Sequence, residues 1–190
     1  MPTSKEILDA GYRIYASRGL PDFSMRNVAK EVGITATALY RHFGGKDELI
    51  EAIAERGFGM FERELRRVSA ARRAPERVLE ILDGYRSFAS RQPALFRLMF
   101  STPRARLRGF PRDFAAHRSG VFDQLRRAVD GGQAAGLFRR DDSLEVSLDL
   151  WAHAHGLLAL YQVGRFKEKR RAFAALYRRS LKRLLRGLQP

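Results

Sequence analysis

Residues 24–46, Ser-Met-Arg-Asn-Val-Ala-Lys-Glu-Val-Gly-Ile-Thr-Ala-Thr-Ala-Leu-Tyr-Arg-His-Phe-Gly-Gly-Lys, constrain the fold more tightly than any other stretch. They read as two short helices joined by a tight glycine turn. Such a unit can lay its second helix in the major groove of DNA. Ser24 is a good N-cap, and Val28, Ala29 and Val32 follow on one helical face. Gly33 suits a left-handed C-cap, where a Cβ would cost energy. Ile34 fills the angle between the helices and Thr35 caps the second, whose inward residues are Ala38, Leu39 and Phe43. Thr37, Tyr40, Arg41 and His42 are left on or near the outer face.

The rest of the chain is helical in pattern, about nine helices in all. The first runs from about Ser4 to Arg18, with Thr3 and Glu6 at capping-box spacing and Ile7, Ala10, Gly11, Ile14 and Tyr15 on one face. The fourth starts near Lys46 and runs to about Ala71, burying Leu49, Ile53, Phe61, Leu65 and Val68. Gly57 and Gly59 lie inside it, each costing about 1 kcal/mol against alanine. They mark either close backbone packing or a compliant point. The fifth covers about Pro75 to Arg91 and the sixth Ala94 to Phe100, followed by a Pro- and Arg-rich loop over 101–112. The seventh is predicted over Arg112 to Ala135, with Phe114, Val121, Leu125 and Val129 on one face. The eighth spans Ser143 to Gly164, and the ninth Glu168 to Gly187. No strand pattern or repeat appears.

The first fifty residues resemble the DNA-binding head of the TetR family of transcriptional repressors. The likeness is carried by Ile7-Leu8-Asp9-Ala10, Ile14-Tyr15-Ala16, Gly19, Phe23-Ser24, Val28-Ala29, Gly33-Ile34, Leu39-Tyr40, His42-Phe43, Lys46 and Leu49. Pro93 to Phe100, with Trp151-Ala152-His153-Ala154-His155-Gly156-Leu157, resembles the body of a subgroup that carries Trp, His and Gly on the eighth helix. The resemblance implies an all-α chain with a three-helix head, residues 1–46, and a helical effector-binding and dimerisation body, residues 47–190. The boundary carries no flexible linker.

By position, Tyr40, His42 and Lys46 match family residues that meet phosphates. Lys46 also opens a helix whose N-terminal amides favour an anion. Arg26 can reach a phosphate or a base edge. Thr35, Ala36 and Thr37 open the recognition helix and face bases, and a thymine methyl suits Ala36 and Thr37. Arg41 has the length for a bidentate guanine contact, at an azimuth that points partly away. Gly44-Gly45 departs from the commoner polar or Ser residue before the lysine, and makes the start of the fourth helix looser.

In the body, the resemblance implies an effector pocket among helices four to eight. Its candidate lining is Phe61, Tyr85, Phe88, Phe96, Met99 and Phe100, with Phe114, His117, Val121, Trp151 and His155. Trp151 and His155 are four apart and share a face, so His155 can orient a polar group of a largely apolar ligand. The eighth and ninth helices are expected to pair with their mates as a four-helix homodimer interface. Glu145 and Asp149 are candidate partners for arginines of the ninth helix.

Charge sharpens this reading. The chain carries 36 Lys and Arg against 21 Asp and Glu, a net +15. Residues 1–50 hold 7 and 6, a net +1, so the DNA reading rests on the motif. Residues 51–190 hold 29 and 15, a net +14. The basic stripe of the ninth helix reads as a solvated face, or as a surface for an acidic partner or a membrane. The chain has no cysteine, so disulfides and thiolate metal sites are excluded. The four histidines have no metal-ligand spacing, and no phosphate loop, nucleophile elbow or catalytic carboxylate pair is visible. No run approaches the roughly 18 apolar residues of a membrane span, and the N-terminus has no apolar signal core. The expectation is a cytoplasmic regulator that is not an enzyme and needs no cofactor. It would bind a pseudo-palindromic operator as a dimer and be released by a small, largely apolar effector. The alternative is a basic structural protein that coats nucleic acid without sequence preference.

Overall fold

The computed structural model describes residues 2–66, 73–101, 109–167 and 169–190. Among them every regular element is a helix, and there are ten: α1 (Ser4–Arg18), α2 (Met25–Val32), α3 (Ala36–Tyr40), α4 (Lys46–Leu65), α5 (Ala74–Arg91), α6 (Pro93–Ser101), α7 (Arg112–Ala115), α8 (Gly120–Ala134), α9 (Ser143–Gln162) and α10 (Arg170–Arg186). The all-α expectation holds. The chain forms two compact units, Met1–Met60 with Gln92–Leu107, and Phe61–Arg91 with Arg108–Pro190. The division falls inside α4.

The first unit is built around the apolar face of α1. Thr3 accepts the Glu6 N–H while the Glu6 carboxylate accepts the Thr3 N–H at 2.6 Å, closing the capping box. Ile7, Ala10 and Ile14 bury against a core that includes Phe23, Val28, Leu39, Leu49 and Ile53. Two glycines set close approaches. A Cβ on Gly11 would stand 2.9 Å from Ile53 Cδ1, and one on Gly57 would stand 2.7 Å from Met99 Sδ and 3.0 Å from Leu95 Cδ1. Of the two sequence readings for Gly57, close backbone packing is the one realised.

In the second unit α5 is central, packing on α8, α9 and α10. Val78, Leu82, Tyr85 and Phe88 are buried along one face of α5. Tyr177 of α10 is fully buried, and its hydroxyl donates to the Leu82 carbonyl at 2.9 Å. Burial and the nearby Asp83 carboxylate push the phenol far above its usual range.

One element differs from the sequence expectation. The helix predicted over Arg112 to Ala135 is two helices, because the chain turns out between them at His117, which has φ +56°. The turn is held by polar side chains that a periodicity count ignores. The Asp113 carboxylate accepts the Gly109 N–H at 2.8 Å and the Arg118 guanidinium at 3.0 Å, and His117 Nδ1 lies 2.9 Å from Asp123. The predicted end of the fourth helix at Ala71, Val68, most of the loop before α7, and Glu168 as the start of the ninth helix lie outside the described residues.

Replacing Tyr177 with Phe should cost about 1 kcal/mol, the net contribution of one hydrogen bond. A phenol held neutral in the fold stabilises below its unfolded pKa of 10.0 and loses that contribution as pH rises above it. Urea unfolding from about pH 9 to about pH 11 should therefore show a smaller loss of stability in Y177F than in the parent.

Candidate nucleic-acid interface

The turn between α2 and α3 follows from a few local choices. Ser24 caps α2 by accepting the Asn27 N–H at 3.2 Å, and the Asn27 amide donates to the Asp22 carbonyl at 2.9 Å. At the other end Gly33 adopts φ +77°, ψ +32°. Its N–H reaches the Lys30 carbonyl at 3.2 Å, and the Ile34 N–H reaches the Ala29 carbonyl at 3.0 Å. These two bonds satisfy carbonyls left open at the helix end and reverse the chain. Thr35 then caps α3, its hydroxyl accepting the Ala38 N–H at 3.1 Å. Leu39 is fully buried and Phe43 nearly so, which fixes the azimuth of α3.

With that azimuth set, Thr35, Thr37, Tyr40, Arg41 and His42 are exposed and Ala36 is half-exposed. Arg26 is exposed at the start of α2. Tyr40 is a large aromatic side chain left 53% exposed on the outer face of α3. Lys46 is half-buried and already engaged: its ammonium donates to the Leu20 carbonyl at 3.2 Å, tying the start of α4 to the turn after α1. The glycine pair before it is held rather than loose, since the Glu48 carboxylate accepts the Gly44 N–H at 2.6 Å.

Sequence reasoning missed Glu48 and Arg56. Glu48 lies three residues after Gly45, a spacing that signals a capping carboxylate. Arg56 carries no local signal. Its guanidinium meets Asp9 at 2.6 Å and the Lys5 carbonyl at 3.4 Å, binding α4 to α1.

The candidate ligand-lining residues fall into two groups. In the first unit Phe96 and Phe100 pack at 4.7 Å between ring centroids, Phe100 meets Phe58 at 5.4 Å, and Met99 lies over Gly57. In the second unit Phe61 lies 4.9 Å from Phe88 and 5.4 Å from Tyr85. Trp151 lies 6.0 Å from Phe114 and 6.1 Å from His155. Val121 is half-buried on α8, whereas His117 is 59% exposed and turned to Asp123. The Tyr85 hydroxyl and His155 Nδ1 are 2.6 Å apart, and the Trp151 indole N–H donates to the same hydroxyl. Burial lowers the His155 pKa and raises that of Tyr85, so both are neutral. The phenol then donates to Nδ1, and Nε2 carries the imidazole proton. Among the described residues no group of His, Cys, Asp and Glu can hold a metal ion.

Residues 7–53 match the family described as bacterial regulatory proteins, tetR family, and residues 78–184 match the tetracyclin repressor-like C-terminal domain. The uncharacterized HTH-type transcriptional regulator TtgW of Pseudomonas putida is 35% identical over 51 residues, 27% of this chain and 38% of that protein. The HTH-type transcriptional regulator SrpR of Pseudomonas putida is 33% identical over 51 residues, 27% of this chain and 24% of that protein. The chain thus spans well under half the length of these relatives. Two solved structures match almost throughout. A Rhodococcus sp. RHA1 protein of unknown function has a TM-score of 0.83 and 25% identity, covering 100% of this chain and 97% of its own. The putative regulatory protein SCO4313 has a TM-score of 0.74 and 27% identity, covering 96% and 94%.

Two outcomes follow. Gly33→Ala should cost about 1–2 kcal/mol in urea unfolding through backbone conformation alone, since a Cβ there meets nothing within 4 Å. The neutral His155 stabilises the fold above its unfolded pKa of 6.5 and loses that contribution as pH falls below it. Unfolding measured from about pH 7 to about pH 5 should show a shallower decline in H155F than in the parent.

Proposed function

This chain belongs to the TetR family of DNA-binding transcriptional regulators, and from that premise we propose that it is a homodimeric repressor released from a pseudo-palindromic operator by a small, largely apolar effector. Residues 1–46 read the DNA, and residues 47–190 bind effector and form the dimer. The observation that carries the reading is the outer surface of α3, where Thr35, Thr37 and Tyr40 are presented to solvent on a helix capped and seated by Leu39. Thr35, Ala36 and Thr37 meet base edges. Tyr40, His42 and Lys46 meet phosphates, Lys46 with the ammonium hydrogens that Leu20 leaves unused. Arg26 and Arg41 extend the contact to backbone or guanine.

A five-residue helix covers only about 7.5 Å, so one copy reads few base pairs. Two copies, about one helical turn apart or a multiple of it, supply the affinity. The pairing surface is carried by α9. Ala152, Ala159, Leu160 and Val163 are exposed along it, Leu160 at 47% and Val163 at 70%. Gly156 lies between them with open space where a Cβ would be. Small residues on such a face let a mate approach closely. The α10 helix joins by its flank. Among the described residues, neither Glu145 nor Asp149 forms an ion pair with α10 in the single chain, which leaves them available to the mate.

The effector lies against the aromatic side chains of the body, with His155 orienting its polar group. It acts by binding better to a setting of α4 in which the two α3 helices no longer match successive grooves. Its effect cannot exceed that difference in affinity. The site of action is the cytoplasm, where the operator is.

Tyr40→Ala should abolish most operator binding in a gel-shift titration while leaving the melting curve unchanged, and retained affinity would refute the assignment. Ala152→Glu should convert the dimer to monomer in sedimentation analysis, because like charges would meet near the two-fold axis. A persistent dimer would move the interface elsewhere.

A further inference from the structure

We propose that the outer face of α10 is a second, sequence-independent contact for the phosphate backbone of duplex DNA. Nine positions of α10 are exposed, and seven of them are Arg or Lys; the other two are Ala172 and Ala175. No acidic residue lies on the helix. Among the described residues none of its cations pairs with a carboxylate. Arg171, Arg178, Lys182 and Arg186 lie at i, i+7, i+11 and i+15 on the exposed side, a row beside that of the buried Phe173, Tyr177, Leu181 and Leu185. Fifteen residues of helix make a row about 22 Å long, equal to about six phosphate steps of rise along the duplex axis.

Seven like charges on 17 residues repel one another, and i,i+4 pairs such as Arg178 with Lys182 are destabilising. Helix stability does not explain such a row, whereas a polyanion relieves the repulsion. Glu145 and Asp149 of α9 can offset at most two of the charges. The choice of duplex DNA follows from three features. Guanidinium groups fit phosphate oxygens with paired donors, and six of the seven cations are arginines. The apolar side of α10 is consumed by the core, so a lipid surface would find nothing to insert. Residues 1–50 carry a net charge of only +1, so the head has little charge for sequence-independent attraction, which depends on neutralised phosphates. The stripe supplies what the head lacks, and holds the regulator near DNA between encounters with its operator. This inference rests on the DNA-binding reading only in its choice of duplex.

The test uses the full chain and a short scrambled duplex, with affinity followed by fluorescence anisotropy from about 50 to 200 mM salt. The quadruple variant R171Q/R178Q/K182Q/R186Q should bind this duplex at least about tenfold more weakly at the low-salt end, with the salt slope reduced by about 3. Its preference for operator over scrambled duplex should persist. A folded variant with unchanged affinity and slope overturns the proposal. If the quadruple variant does not melt cooperatively, R178Q/K182Q replaces it, with about half the slope change expected. Vesicles of phosphatidylglycerol and phosphatidylcholine form the second arm. Stripe-dependent binding to vesicles without stripe-dependent binding to duplex overturns the choice of DNA. Thr37→Leu, at a position assigned to base edges, separates the two readings: it should lose operator preference and keep the parent's salt slope on scrambled duplex. If no protein in the series prefers any operator and the stripe effect remains, the repressor reading fails and this one stands.

Discussion

The close fit of α1 and α6 against the axis of α4 is the constraint on which the presentation of α3 depends. The first half of α4 buries Leu49, Ile50, Ile53 and Ala54 in the same core that seats Leu39 of α3. Contact there is at the van der Waals limit. Gly11 and Gly57 are the places where backbone and side chains of these three helices meet most closely, and a methyl group at either would force a neighbour to move. Arg56, joined to both Asp9 and the Lys5 carbonyl, adds a polar tie between α4 and α1. Exposed ion pairs contribute only about 0.2–1 kcal/mol each, so the apolar contacts dominate stability. The tie contributes direction.

The second unit uses a different device. Its core contains hydroxyl and imidazole groups whose partners are set across long sequence separations, Tyr177 to the Leu82 carbonyl and Tyr85 to His155. Each phenol is apolar over most of its surface and needs one partner at its tip. A buried group of this kind specifies position more sharply than a phenylalanine, because the wrong packing leaves a hydroxyl unsatisfied.

Charge is divided in an uneven way along the chain. Residues 1–50 are nearly neutral, and Thr35, Leu39 and Gly33 fix how α3 is presented. Most of the positive charge lies in the later residues, above all on α10. Affinity and sequence discrimination in protein–DNA contacts have different physical origins, and the proposal above assigns them to different segments.

The local features were legible in the sequence. Capping by Thr3, Ser24 and Thr35, the left-handed Gly33, and the buried stripes of α1 and α2 each depend on residues within one or two turns, so residue type and spacing determine them. The exposure of Tyr40 followed from the same spacing once Leu39 was turned inward. The break between α7 and α8 was not legible, because Asp113 and Asp123 hold it through partners that an apolar periodicity does not count. The engagement of Lys46 by the Leu20 carbonyl, the tie from Arg56 to Asp9, and the closeness of Leu95 and Met99 to Gly57 were also beyond reach. Each joins residues far apart in the chain, where no local rule relates one side chain to the other. The sequence by itself determined which segments are helices and which faces they bury. Only the tertiary structure decided which helices meet, how closely, and which polar groups that meeting satisfies, because those depend on packing the whole set of buried faces at once.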